Sequence, residues 1–197
     1  MKHCTIILLS LLILSSCIKN DKSADNKRLA IEMTKQANEQ YVHGNLDSAL
    51  ILADSAIVLD ETYVPSYNTK VSIYIARNKM QKVFNTYVQL LRFEPDNTDA
   101  LVLVGAVYDA KGDSAKAAIN YKKALECYEK NIADPNLKDQ ALTNRINHAA
   151  LLILSGKEAE GKAALMVIKN EKHPNVSVDN LLLMTRQLYL DQYRKKK

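Results

Sequence analysis

Gly44, Asn78 and Gly112 stand 34 residues apart, as do Ala49, Val83 and Ala117, and Ala56, Leu90 and Ala124. No other feature constrains this chain so tightly. A period of that length has room for two helices and two turns. Each such pair carries an apolar stripe on both sides that it cannot bury alone, so neighbouring pairs must stack. Small residues at fixed places let the backbones approach closely. A chain built this way offers a groove; it does not by itself gather catalytic groups.

The rest of the sequence agrees with an all-α chain. From Leu29 onward no Asn-Gly or Asp-Gly hairpin dipeptide and no persistent alternation marks a strand. Gly44-Asn45, Asn78-Lys79, Gly112-Asp113 and Gly156-Lys157 fall where the turn inside each pair belongs, since Gly or Asn suits the left-handed residue after a helix. Pro95, Pro135 and Pro174 mark the exits of second helices.

These residues resemble tetratricopeptide repeats, 34-residue units of two antiparallel helices. The first covers 30–63 with Ala37, Gly44, Ala49 and Ala56 at the small positions. The second covers 64–97 with Tyr67, Tyr74, Tyr87 and Pro95, Val83 replacing the usual Ala. The third, 98–131, carries Leu101, Gly105, Tyr108, Gly112, Asp113, Ala117, Tyr121, Ala124 and Leu125. A degenerate fourth unit over 137–172 departs from the pattern. Its Gly156 lies ten residues late, which fits a longer second helix in the third unit, and Gly161 stands where Ala is usual. The array so drawn spans 30–175. Beyond it, 176–197 reads as one closing helix, Val178 to Arg194, followed by a basic tail. Leu181, Leu182, Met184, Leu188 and Tyr189 fall on its apolar side, as an end cap requires. The resemblance implies a right-handed α-solenoid with a C-terminal capping helix.

The N-terminus adds a second resemblance. A basic start, an apolar run from Thr5 to Leu14 and then Leu14-Ser15-Ser16-Cys17 look like a bacterial lipoprotein leader with its lipobox. This implies that 1–16 is removed and that Cys17 receives lipid acyl chains. The polar stretch 17–29 then reads as a tether, and ten extended residues reach at most about 35 Å. Ile18 is not the Asp that retains enterobacterial lipoproteins in the inner membrane, which favours the outer membrane facing the periplasm. Surface exposure on the cell remains open. With Cys4 removed and Cys17 lipidated, Cys127 is left alone as a core thiol with no disulfide partner. Of the formal charge of +5, Lys2 departs with the leader and Arg194 to Lys197 supply the remainder. The body is therefore neutral, and nucleic acid is not an expected partner.

No catalytic constellation, phosphate loop, His-x-x-x-His pair or Cys pair occurs, so neither enzyme, metal nor cofactor is expected. In the resembled family the first helix of each pair lines the groove. Counting along those helices gives Lys35, Asn38 and Tyr41, then Asn68, Thr69 and Ser72, then Asp99, Val102, Ala106 and Asp109. Asn side chains can both donate to and accept from a peptide backbone. The repeat subtype that clamps an acidic chaperone terminus is a poor match. Thr34, Thr69, Asp99 and Leu103 stand where it needs Lys, Asn and two cations. The expectation is a membrane-anchored, non-catalytic scaffold of a bacterial cell envelope that holds a protein or peptide. The alternative is an immunity or inhibitor lipoprotein that neutralises a toxin or an envelope hydrolase.

Overall fold

The computed structural model describes residues 3–174, 176–191 and 193–194, with side chains from residue 22 onward. All regular structure among them is helical. In chain order the elements are α1 (His3–Val42), α2 (Leu46–Leu59), α3 (Val64–Ala76), α4 (Met80–Leu90), α5 (Thr98–Ala110) and α6 (Ser114–Ala133). A 3₁₀ turn (Pro135–Gln140) then leads to α7 (Ala141–Leu154), α8 (Glu158–Asn170), α9 (Asp179–Leu183) and α10 (Arg186–Asp191). The chain forms two compact units, Met1–Thr86 and Tyr87–Lys197, the division falling within α4.

The four expected turns follow one local rule. Gly44, Asn78, Gly112 and Gly156 take φ of 78°, 54°, 86° and 94°, a region that costs an ordinary side chain about 1–2 kcal/mol. Each closes the preceding helix with the same pair of backbone bonds. Asn45 N donates to Gln40 O at 2.9 Å and Gly44 N to Tyr41 O at 3.0 Å; Lys157 N donates to Leu152 O at 2.8 Å and Gly156 N to Ile153 O at 3.1 Å. The last carbonyls are thus satisfied while the chain reverses. Helix starts are capped more unevenly. Asn97 accepts from Ala100 N at 3.0 Å and Asp113 from Lys116 N at 3.1 Å, whereas α2 and α7 begin without a side-chain cap.

In the first unit α1 packs along α2 and touches α3. Ala30, Ala37, Ala49, Ala53 and Ala56 are fully buried, so the recurrent small residues sit where helices cross. Tyr67 and Ile73 fill the wider gaps, and burying an apolar side chain of that size contributes about 1.5–3 kcal/mol. In the second unit Leu101, Ala106, Ala117, Tyr121, Ala124 and Leu151 share one core, and Ala149, Ile153, Leu165 and Ile168 another between α7 and α8.

Two sequence expectations need amendment. Residues 17–29, read as an extended tether, belong to α1; no Gly or Pro interrupts the chain between Cys17 and His43. The longer second helix expected of the third pair is present, α6 running to Ala133. Asp134 ends it by accepting from Asn136 N at 2.8 Å. The closing helix is broken. Met184 is extended (ψ 139°), and Thr185 Oγ1 caps a fresh start by accepting from Leu188 N at 3.3 Å. The break resets the helical phase. Leu188, expected on the buried side, is half exposed, and Leu190 is buried instead. The side chains of the lipobox Leu14–Cys17 lie outside the described residues, as do Asn175 and Lys195–Lys197. Among the described residues no helix is long and apolar enough to cross a membrane.

The fourth pair carries a clasp. Arg145 on α7 donates to both oxygens of Glu171, just past α8, at 2.8 and 2.7 Å, and His173 Nε2 lies 2.7 Å from the same carboxylate. The hydrogen bonds from Arg145 first, then from His173, pull the Glu171 carboxyl down from 4.5 to about 2. A carboxyl depressed in the folded state stabilises the fold above its unfolded value and loses that stabilisation as pH falls through its folded value. Glu171→Gln is therefore expected to melt below the parent at pH 6. That difference should shrink between about pH 4.5 and pH 2. Paired thermal melts across this range check it; a gap that stays constant to pH 2 contradicts the clasp.

Candidate functional site

In the first unit α1 presents Ile31, Lys35, Asn38 and Val42 along one face. Spacings of three and four residues keep them in line. Together with Tyr63 and Pro65 at the start of α3 they border an open cavity of about 460 Å³. The walls mix apolar surface with an ammonium, an amide and the Glu39 carboxylate. Lys35 and Asn38 are both exposed on this face, while Tyr41, half-buried, packs towards the Ala37–Ala49 core. Asn68 is exposed on α3, and Ser72 donates to the Asn68 carbonyl at 3.0 Å.

Thr69 is a correction. It is buried, with its hydroxyl 2.9 Å from Asn38 Oδ1 and 3.0 Å from Pro65 O. Thr69 therefore positions Asn38 rather than meeting a ligand. Thr34 is buried one turn earlier, 2.8 Å from Ser66 Oγ and 2.7 Å from its own helix at Ala30 O. Two hydroxyl contacts thus fix α1 against α3 at this face. Each is worth about 1 kcal/mol net, and more when lost, because a buried polar atom is left unpaired.

In the second unit the corresponding face is built on α5 and α7. Asp99 and Val102 border a cavity of about 350 Å³ with Tyr128, Asn147, Leu151 and Leu154. The chain's own C-terminal segment contributes Tyr189 and Tyr193 to the same cavity. Burial, then Asp99, then Tyr193 raise the Tyr87 phenol on this wall to about 12.

Asp109 is the second correction. It is not free for an outside ligand: its side chain is 5% exposed, and both oxygens take the Arg186 guanidinium at 2.7 and 2.6 Å. Arg186 Nε also donates to Leu154 O at 3.1 Å, joining the ends of α5 and α7. Tyr121 Oη donates to Asp109 at 3.3 Å. The ring of Tyr121 reaches that position because Gly105 has no side chain; a Cβ there would stand 2.7 Å from it. Ala106 is buried in the core and presents nothing to a ligand.

Sequence reasoning missed Arg186, Leu190 and Tyr193. Their signal was present, since 186, 189, 190 and 193 share a helical face, but an unbroken helix from Val178 hid it. Elsewhere the chemistry is bland. No cluster of His, Cys, Asp or Glu suited to a metal occurs among the described residues. Cys127 is half-buried, and its thiol is pushed up by burial, away from the thiolate that a nucleophile needs. His148 Nε2 lies 3.5 Å from Glu129.

Comparison with solved structures places this arrangement. The chain is similar to YrrB, a TPR protein with an unusual peptide-binding site, at 19% identity and a TM-score of 0.50. The match covers 80% of this chain and 74% of that one. It is also similar to MamA, at 18% identity and a TM-score of 0.47, over 78% and 84% of the two chains. No family model matches, and comparison with curated proteins finds no match. The likeness to YrrB establishes the fold. The protein is an all-α array of helix pairs that pack as tetratricopeptide repeats.

Proposed function

We propose that this protein is a non-catalytic scaffold that holds a protein or peptide segment against the first helices of its pairs, and that lipid on Cys17 tethers it to a bacterial cell envelope. One observation carries the binding reading: the open cavity of about 460 Å³ on α1 and α3, where Ile31, Val42 and Pro65 supply apolar surface beside Lys35 and Asn38. Such a wall suits an extended segment. Apolar side chains enter the cavity while the amide and ammonium meet backbone carbonyls. YrrB, with its peptide-binding site, is consistent with this use of the fold. The tether rests on the leader-like N-terminus and the lipobox, Leu14 to Cys17.

Asn38 is already engaged by Thr69, so replacing it mixes stability with binding. Lys35 and Asn68 are exposed and separate the two. Lys35→Glu combined with Asn68→Ala in the full chain is expected to lower cross-linked capture of an envelope partner at least fivefold and to leave the melting temperature within about 1 °C. Capture that survives the double change refutes the site. The tether is tested in cells fed an alkyne-tagged fatty acid. The parent chain should take up the label and Cys17→Ser should not; equal labelling refutes lipidation at Cys17.

A further inference from the structure

The geometry points to the α5–α7 face as a docking site for an amphipathic helix, one that the chain's own C-terminal segment occupies in the resting state. Three observations agree. First, α10 does not continue the stacking order. α9 lies on α8, whereas α10 packs against α5 and α7, the first helices of their pairs. Second, α10 is attached by Met184 and Thr185 alone, after a full break in the helix. Third, it is held as a ligand would be. One cation, Arg186, enters a buried carboxylate, and at positions three, four and seven further on come Tyr189, Leu190 and Tyr193.

The face therefore specifies its ligand. Asp109 selects a cation at one end. Leu101, Leu151 and Leu154 receive an aliphatic residue in the middle, where Leu190 is 1% exposed. The cavity beside Asp99 and Tyr128 receives two aromatic rings. A partner helix with the same order of cation, aromatic, aliphatic and aromatic residues would displace the segment. Because only two residues join α10 to α9, the segment competes at an effective concentration on the order of millimolar, so an incoming helix binds only once it exceeds that advantage. This site is distinct from the cavity on α1 and α3 and does not depend on it.

The test uses the full-length chain and a fluorescent peptide of residues 185–194. Leu190→Asp should release the segment in place. Peptide binding by fluorescence anisotropy is then expected to be at least tenfold tighter than to the parent. Adding Asp109→Asn to that variant should remove most of the gain, as should Arg186→Met within the peptide. Lys35→Glu with Asn68→Ala should leave the titration unmoved, so the two sites fail separately. Equal binding to parent and Leu190→Asp overturns the proposal. Loss of the helical circular dichroism of Leu190→Asp overturns it too, since the segment would then be core rather than ligand. A dimeric parent beside a monomeric Leu190→Asp assigns the segment to a second copy and overturns the intramolecular docking.

Discussion

Arg186→Met is expected to lower unfolding free energy by about 3 kcal/mol, more than any other single exposed-residue change in the second unit. The reason lies in which charge is stranded. Arg186 is 42% exposed and Asp109 only 5%. Their mutual attraction is therefore partly screened, and taken alone would be modest. Removing the guanidinium, however, leaves a carboxylate buried with only the Tyr121 hydroxyl, 3.3 Å away, for company. The bond to Leu154 O goes as well. An uncompensated buried charge is what makes broken pairs expensive, and the usual cost is 3–5 kcal/mol. The lower end applies because α10 can undock and admit water, which caps the loss at the free energy of docking. Asp109→Asn should cost less, about 1–2 kcal/mol. The amide still accepts from Tyr121 and Arg186, and the exposed guanidinium can return to solvent. Combining Arg186→Met with Asp109→Leu should recover most of the deficit, because no charge is then stranded. Urea midpoints for the three variants check this order. If Asp109→Asn proves the most damaging, the stranded-charge account fails.

The same contacts show what the sequence could and could not reveal. The turns were legible because left-handed backbone admits few residues. Gly44, Asn78, Gly112 and Gly156 announce themselves without knowledge of any neighbour. The small positions Ala37, Ala49 and Ala117 were legible from their period, and all three are buried. Asp109 and Thr69 were misread for a shared reason. Counting along one helix locates a face, but it cannot say what covers that face. Thr69 is covered by α1 through Asn38, and Asp109 by a residue 77 positions later. The break at Met184 was hidden because neither Gly nor Pro marks it. Thr185 alone signals it, and a threonine in an apolar helical run is ambiguous. The α5–α7 face was therefore legible as a surface, while its occupant, which gives it chemical character, was not.

Gly161→Ala is the sharpest test of the packing, because two general rules predict opposite signs. In an exposed helix the change would stabilise by about 1 kcal/mol, since Gly is a poor helix residue. The 34-residue pattern favours it too, as Ala occupies the matching places, Ala49 and Ala117. Here α7 crosses α8 too closely. A Cβ on Gly161 would meet Ala149 O at 2.5 Å, Ile153 Cγ1 at 2.7 Å and Ile153 N at 3.0 Å. Two of these atoms belong to the backbone of α7 and cannot turn away as a side-chain tip can. α7 and α8 must separate, loosening the Ile153, Leu165 and Ile168 core between them. Overpacking of this kind costs about 1–3 kcal/mol, and a backbone displacement belongs at the upper end. After subtracting the helix gain, the expected net loss is about 2 kcal/mol, a drop in melting temperature of roughly 10 °C for a unit of this size. Ala117→Gly should also destabilise, by about 1–2 kcal/mol, because α6 loses a buried methyl and gains backbone freedom. The two positions are thus each fitted to their own crossing, and neither tolerates the other's residue. A Gly161→Ala chain that melts above the parent would show that α7 and α8 pack further apart than this.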